Sequence, residues 1–468
     1  MRPTRFATEI GWLLQTGLIV FIVTPTIGII NGTKIFGTLS RDVLLTHVHS
    51  GTLGWITLGA MAMVLWLFGP AVPASKDRNT RMLAIFSTVA IPVYVLAFFS
   101  GNLPARAITG TLLLLVIVMW AIFAIGAASG IGWGRLSVAQ LAAVLSLVSL
   151  VVGSTLGVLI QIQLATGVKI FPNDPVGAHA TAQVSGYLVL MSIGLIDWRL
   201  LGDRSRRTLA SNVMIGALFV AGLCVAGGLL LGLIPLAALA TPLQIVAVVI
   251  LLVRVGPSAL RTPWKAGSAR FFAIAVPFLV TNIALTVYLI VTIVSSGKPF
   301  DQIEIPFGLI IALDHAIFVG TMTNIRFGVL SQATSDRAAV WPWADQIVFW
   351  LLNVGVAVFI VVLITGATYL ERFTAPVMGL AVYLGIATFT VRLRSRPGSA
   401  PVPAPAPPND RRGGRPEDPA VRYTFTTSCR ADTATFSVRM VPNRVRSRPH
   451  WREAISGRRG RDPHRGHP

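Results

Sequence analysis

The sequence has few of the residues that build disulfide-stabilised domains or soluble enzymes. Only two cysteines, Cys224 and Cys429, occur among 468 residues, which excludes a disulfide scaffold and a cluster of thiolate metal ligands. Charged residues make up 12% of the chain, about half of the roughly 25% usual in soluble domains. The sequence also lacks a Walker loop, a dinucleotide-binding glycine fingerprint, a Cys-x-x-Cys-His motif and an HExxH motif.

Hydrophobic residues are abundant instead. They make up 54% of the chain, and the mean hydropathy is +0.71, which indicates an all-α polytopic membrane protein. Each apolar run is long enough to cross about 30 Å of hydrocarbon as a helix. Twelve transmembrane helices are predicted, near residues 10–30, 42–69, 81–100, 107–128, 136–165, 174–196, 208–234, 236–254, 269–295, 304–331, 344–366 and 373–391.

Basic residues are concentrated at one set of helix ends, which predicts the orientation. Both termini are expected in the cytoplasm of a bacterial-type plasma membrane, with loops 31–41 and 297–303 outside. This pattern accounts for the basic loops by topology, so the bilayer is the expected partner and nucleic acid is not. The basic residues assigned to the cytoplasmic ends are Arg2, Arg5, Lys76, Arg78, Arg81, Arg135, Arg199, Arg204, Arg206, Arg207, Arg254, Arg261, Lys265, Arg270, Arg326 and Arg337.

The composition changes after the last predicted helix. Residues 1–391 form the expected membrane core, with a net charge of +10, and residues 392–468 carry +11 of the total of +21. This second segment is rich in Pro, Arg and Gly, which predicts a disordered cytoplasmic tail. A frame-shifted reading of a GC-rich gene would give a similar composition. The tail histidines, His450, His464 and His467, have no regular ligand spacing.

Four histidines lie within the membrane core: His47, His49, His179 and His315. They belong to the second, sixth and tenth predicted helices, which cross the membrane in the same direction, and each lies near the start of its helix. All four are therefore expected in the outer half of the membrane. Polar side chains in lipid are costly unless they are partnered, so we expect a shared prosthetic group, a heme or a metal; the alternative is four separate packing histidines.

Helix geometry separates the first two histidines. His47 and His49 are two residues apart and therefore point about 200° away from each other, so both cannot face one iron. One is expected to bind iron while the other meets a heme propionate or a second metal, and the sequence leaves the choice open. Gly51 and Gly54 follow His47 on its face, where either a porphyrin or a neighbouring helix would fit.

Three polar residues are expected to support these ligands. Asp314 precedes His315 well inside a predicted helix, where it needs a partner or a proton. Gln183 lies one turn beyond His179 and Tyr187 two turns beyond it. Tyr187 is a candidate redox or proton-relay side chain, and a packing tyrosine is the alternative.

Three segments resemble the second, sixth and tenth helices of heme–copper oxidase subunit I. They are His47-Val-His-Ser-Gly-Thr-Leu-Gly-Trp-Ile-Thr-Leu, Gly177-Ala-His-Ala-Thr-Ala-Gln-Val-Ser-Gly-Tyr and Asp314-His-Ala-Ile-Phe-Val-Gly-Thr-Met-Thr. They look most like the divergent branch near the C-type oxidases, the nitric oxide reductases and the NnrS proteins. The resemblance implies heme ligands among His47, His49 and His315, a copper ligand at His179, and a redox partner such as a cytochrome c-like subunit.

The departures from that family limit the function that the resemblance implies. The seventh predicted helix has no histidine, the tenth has only His315, and the inner halves of the helices have almost no acidic residues or lysines. A complete heme–copper centre and a proton pump are therefore not expected. Electron transfer or handling of O2 or NO, as an oxidoreductase of the oxidase or nitric oxide reductase type, is one hypothesis. A non-catalytic NnrS-like heme or copper protein and, with less support, a transporter are the others.

Overall fold

The fold is entirely helical over the residues that the computed structural model describes, which are 5–173, 175–297, 305–337 and 341–395; no β-strand occurs in these ranges. Twelve helices within them are long and apolar enough to cross a membrane, which confirms the predicted fold class. In chain order they are α1 Ala7–Thr33, α2 Arg41–Ala71, α3 Ala74–Phe99, α4 Leu103–Ile131, α5 Val138–Thr166, α6 Pro175–Leu201, α7 Leu209–Leu231, α8 Ile234–Leu260, α9 Ala269–Ser295, α10 Phe307–Ala333, α11 Ala344–Thr365 and α12 Thr368–Arg394. The tail was predicted from residue 392, but residues 392–394 belong to α12 because the helix continues past the last apolar turn. The tail from residue 396, with its three histidines and Cys429, lies outside the described residues.

Short polar residues set the starts of several membrane helices. The Ser40 hydroxyl accepts a hydrogen bond from the Val43 amide at the start of α2, and Asn102 Oδ1 accepts one from the Ala105 amide at the start of α4. At α5, Ser137 and Gln140 form a reciprocal capping box. These side chains accept hydrogen bonds from amide groups that a helix start leaves without a partner. An amide group without a partner is energetically costly near lipid.

The first helix is interrupted at Ile22, between Ala7–Phe21 and Val23–Thr33. Its middle packs on the glycine face of α2, where Gly51 contacts Thr24 and a Cβ added to Gly54 would overlap Val20. The sequence left open whether a porphyrin or a neighbouring helix covers this glycine face. In the structure the neighbouring helix α1 covers it.

Helices α2, α6 and α10 share an unusual feature directly beyond their histidines. Each changes from α-helix to π-helix, over Ser50–Thr57, Ala182–Leu188 and Ala316–Thr323. In two of these helices a threonine hydroxyl donates to a carbonyl five residues back, as Thr57 does to Thr52 and Thr321 to Ala316. Short π-helical segments inside α-helices frequently occur at functional sites.

Candidate cofactor site at the histidine-bearing helices

His49 and His179 line one cavity of about 420 Å³. Its walls come from helices α2 to α6 and from α10, and about half of the lining residues are Leu, Ile, Val or Phe. The two imidazoles belong to different helices and lie close enough for their charges to interact. The structure thus brings together two of the four predicted ligands in a space large enough for an organic cofactor.

Backbone carbonyls and neighbouring side chains orient these two imidazoles. His49 Nδ1 lies 2.7 Å from the Leu45 carbonyl oxygen, and its ring stacks on Phe98 with ring centroids 3.8 Å apart. His179 Nδ1 lies 2.7 Å from the Gly153 carbonyl oxygen of α5. Gly157, one turn along α5, makes room for the His179 ring, because a Cβ at that position would lie 2.8 Å from His179 Cε1.

His47 and His315 form a second pair on the other side of α2. They belong to different helices, α2 and α10, and a proton on one ring would act electrostatically on the other. His47 Nδ1 lies 2.8 Å from the Thr24 carbonyl oxygen of α1, and His315 Nδ1 lies 2.8 Å from the Ile311 carbonyl oxygen. The His315 ring also packs edge-on against Phe359 of α11. Residues Arg41–His49 are regular α-helix, so the expected divergence of His47 and His49 applies and each faces a different partner helix.

The four histidines share one hydrogen-bonding pattern. Each Nδ1 faces a backbone carbonyl, which can only accept, so each neutral ring carries its proton on Nδ1 and has a lone pair on Nε2. Among the described residues no hydrogen-bond partner of any of the four Nε2 atoms is found. Metal-binding histidines are held in this way, with one ring nitrogen bonded to an outer acceptor and the other directed at the metal.

Cationic side chains lie at the end of the cavity near the membrane face where the even-numbered helices begin. Arg106 is buried there: its Nη2 donates to Asp42 at 2.6 Å and to the Phe98 carbonyl at 2.7 Å. Arg106 Nη1 has no partner among the described residues, and Arg41 lines the same end of the cavity. This end of the cavity therefore carries two arginines and one carboxylate, Asp42, whereas the walls combine aliphatic side chains with a few polar ones.

The three supporting residues predicted from the sequence all line this cavity. Tyr187 Oη donates to Thr57 at 3.3 Å, and Gln183 Nε2 donates to Ser154 at 3.3 Å. Asp314, contributed by α10, has no hydrogen bond or ion pair with another described residue. Asp314 thus faces the His49–His179 cavity, while its neighbour His315 faces His47.

The four predicted ligands are grouped as two pairs that share helix α2. Whether one prosthetic group joins all three helices, as the sequence suggested, stays a prediction, and so does copper at His179. Within the described residues, no group of three or more His, Cys, Asp or Glu side chains could hold a metal ion. A cofactor that takes two protein ligands suits these pairs better than a bare metal that needs three or four.

The residues that sequence reasoning missed are the aromatic and basic neighbours of His49. Tyr94 and Phe98 are one turn apart on α3, and Arg106 is the fourth residue of α4. The sequence signal that could have identified Arg106 is its place just inside an apolar helix, because a charged residue there is costly unless it is functional or paired.

No protein-family model matches the chain, and no curated protein matches it. The resemblance of the three histidine segments to heme–copper oxidase subunit I therefore stays a prediction.

Proposed function

We propose that the protein is a heme-binding multi-pass membrane protein with two bis-histidine positions, one at His49 and His179 and the other at His47 and His315. The observation that carries the proposal is the shared state of the four imidazoles. Each has Nδ1 bonded to a backbone carbonyl and an Nε2 without a partner among the described residues. None of the four Nε2 atoms is among the fully buried side-chain atoms without a partner in the described core, so a ligand could reach each of them.

The cavity between His49 and His179 fits a heme in its chemistry. A heme has a broad apolar macrocycle with two carboxylates on one edge. The cavity has a largely aliphatic and aromatic wall, with Arg41 and the Arg106–Asp42 ion pair at one end. Its volume of about 420 Å³ lies in the range of cofactor pockets. His49 and His179 would hold the iron, and the Phe98 ring, stacked on His49, would limit rotation of that ligand.

Two histidine ligands favour electron transfer over chemistry on a gas. A bound heme supplies one-electron redox chemistry. His49 and His179 would hold the group through their Nε2 atoms in a fixed tautomer, and Phe98, Leu113 and Ile117 would supply apolar walls beside it. We therefore propose an electron carrier of the oxidase-related type, served by a redox partner such as a cytochrome c-like subunit, rather than an oxidase.

A second candidate, handling of O2 or NO, is favoured by one observation. The Asp314 carboxylate lines the cavity without a protein partner among the described residues, and such a group could exchange a proton with a small bound molecule. Carbon monoxide separates the two candidates: the reduced electron carrier should not bind it rapidly, whereas a gas-handling protein should.

The membrane and the orientation are also part of the proposal. We place the protein in a bacterial-type plasma membrane with both termini in the cytoplasm, on the strength of the basic loops. Single cysteines at Ser205 and at the exposed Phe36 would test this in intact cells with an impermeant thiol reagent. Labelling should occur at 36 and not at 205, and the reverse pattern would overturn the orientation.

The test of the function is the absorption spectrum of the detergent-purified protein, oxidised and reduced, together with iron and copper assays. A heme Soret band, lost in steps by replacing the core histidines and unaffected by His450→Ala in the tail, would support the proposal. A protein without the band, purified from heme-replete cells, would favour the transporter hypothesis instead.

A further inference from the structure

Arg326 is buried in the membrane core without a hydrogen-bond partner. It lies on α10, three turns beyond His315, and is 4% exposed. Among the described residues nothing accepts a hydrogen bond from its Nε, Nη1 or Nη2 atoms, all of which are buried. Its guanidinium packs over the face of Trp55, 4.8 Å from the ring centroid, and lies near enough to Tyr187 for an electrostatic interaction. The sequence assigned Arg326 to the cytoplasmic end of its helix; in the structure it lies inside α10, seven residues before the helix ends at Ala333, and its side chain is buried.

Glycines on helices α1 and α2 leave room for the Arg326 guanidinium. A Cβ added to Gly17 of α1 would lie 2.6 Å from Arg326 Nη2, and one added to Gly59 of α2 would overlap the guanidinium. These glycines leave the space that the guanidinium occupies. The fold therefore holds the charge in the interior, where a long flexible side chain would otherwise extend towards the membrane surface.

Other buried arginines of the described core have partners. Arg106 pairs with Asp42 and Arg392 with Asp345 at 2.9 Å, and Arg270 donates to the Gln346 side chain and to the Asp345 carbonyl. The half-buried Arg254 pairs with the fully buried Asp197. Asp197 and Asp345 lie near helix ends, where they form ion pairs with Arg254 and Arg392. The unpartnered state of Arg326 is thus a local exception, and a buried charge of this kind requires a counter-charge.

A small cavity of about 10 Å³ lies beside the guanidinium. Besides Arg326, its lining includes Gly59, Met63, Leu195 and Met322 and contains no acidic side chain. A space of this size holds about one water-sized particle. A propionate, a phosphate or a lipid headgroup is too large for it.

We propose that Arg326 binds a single small monovalent anion, of the size of chloride, between helices α1, α2, α6 and α10. The anion supplies the counter-charge that the described protein groups do not, and the cavity size selects a monatomic ion. The site is separate from the two histidine pairs and does not depend on heme. Tyr187 connects the two regions, because it lines the histidine cavity and interacts with the charge of Arg326.

Halide-dependent stability tests this site. The full-length protein in detergent is unfolded thermally in gluconate and then with increasing chloride or bromide at constant ionic strength. In wild type the unfolding temperature should rise with the logarithm of halide concentration, by about 3 °C over the titration, and Arg326→Met should show no rise. Arg392→Met is the matched control: Arg392 is similarly buried at 5% exposure but is paired with Asp345, so this variant should be less stable and keep the halide response.

If Arg326→Met does not fold, bromide retention by the wild-type protein tests the site. Wild type exchanged into bromide and then desalted should retain one bromide per chain by X-ray fluorescence. The absence of retained bromide together with equal stability in gluconate and chloride would mean that only water meets Arg326, and the proposal would be wrong. A halide response that persists in a folded Arg326→Met protein would also overturn it.

Discussion

Gly157 offers a test of the His179 position that leaves every proposed ligand in place. In Gly157→Ala the new Cβ would lie 2.8 Å from His179 Cε1 and 3.0 Å from Nδ1, whereas ordinary contact begins at 3.4 Å. The ring must therefore move by about 0.6 Å, the difference between 3.4 and 2.8 Å. The nearby bond from His179 Nδ1 to the Gly153 carbonyl, at 2.7 Å, would be strained or lost.

The magnitude follows from three contributions. Overpacking costs about 1–3 kcal/mol, and loss of one hydrogen bond costs about 0.5–1.5 kcal/mol. Alanine in a helix interior recovers about 0.5–1 kcal/mol relative to glycine. The central estimate is a net cost of about 2.25 kcal/mol for keeping His179 in its observed position, which would weaken heme binding at this pair roughly 45-fold.

Heme titration of the heme-depleted protein, followed in the Soret region, measures this effect. Gly126→Ala is the matched control, since Gly126 is also a helical glycine but has no atom within 4 Å of an added Cβ. This control should bind heme as wild type does and be equally or slightly more stable. If Gly157→Ala weakens binding at the His49–His179 pair less than threefold, the assignment of His179 as a ligand held by α5 is refuted.

Three further predictions follow from the paired arrangement and the domain division. Single alanine variants should each lose one of two hemes per chain, and double variants should lose both only when they combine members of different pairs; the variants are His47→Ala, His49→Ala, His179→Ala and His315→Ala. Asp42→Ala should lower the free energy of unfolding by about 3 kcal/mol, more than Arg106→Met, because the Arg106 side chain is 3% exposed and that of Asp42 is 43% exposed; thermal unfolding in detergent measures both. Truncation after Ser395 should leave the absorption spectrum unchanged, and a lost spectrum in a normally inserted protein would assign a role in binding to the tail.

The twelve helices could be predicted because hydropathy reports directly on burial in lipid. The predicted ends agree with the structure to within several residues, and α9 coincides with its predicted range of 269–295. The start of α3 differs most, at Ala74 instead of residue 81, because its first turns carry Lys76, Asp77 and Arg78. Polar helix ends outside the hydrocarbon leave no trace in a hydropathy pattern.

The candidate site could be predicted only in part. Helical periodicity was enough to show that His47 and His49 diverge, because Arg41–His49 is regular helix. Their partners depend on the lateral order of the helices, which a single sequence does not contain. The three π-helical segments also have no sequence signal of their own, since they arise where tertiary packing shifts the backbone hydrogen bonds. The burial of Arg326 could not be predicted for a related reason: the sequence places it near one end of the predicted helix 304–331, and only packing shows that its side chain is buried.

The most direct test of the two bis-histidine positions is the low-temperature electron paramagnetic resonance spectrum of the oxidised, purified protein, integrated against its heme content. Four imidazoles arranged as two pairs should give low-spin ferric signals that sum to two per chain, with no high-spin component. In His179→Ala one of the two signals should change and the other should persist. A wild-type spectrum without a low-spin ferric signal, in protein from heme-replete cells, would contradict the assignment of His47, His49, His179 and His315 as paired heme ligands.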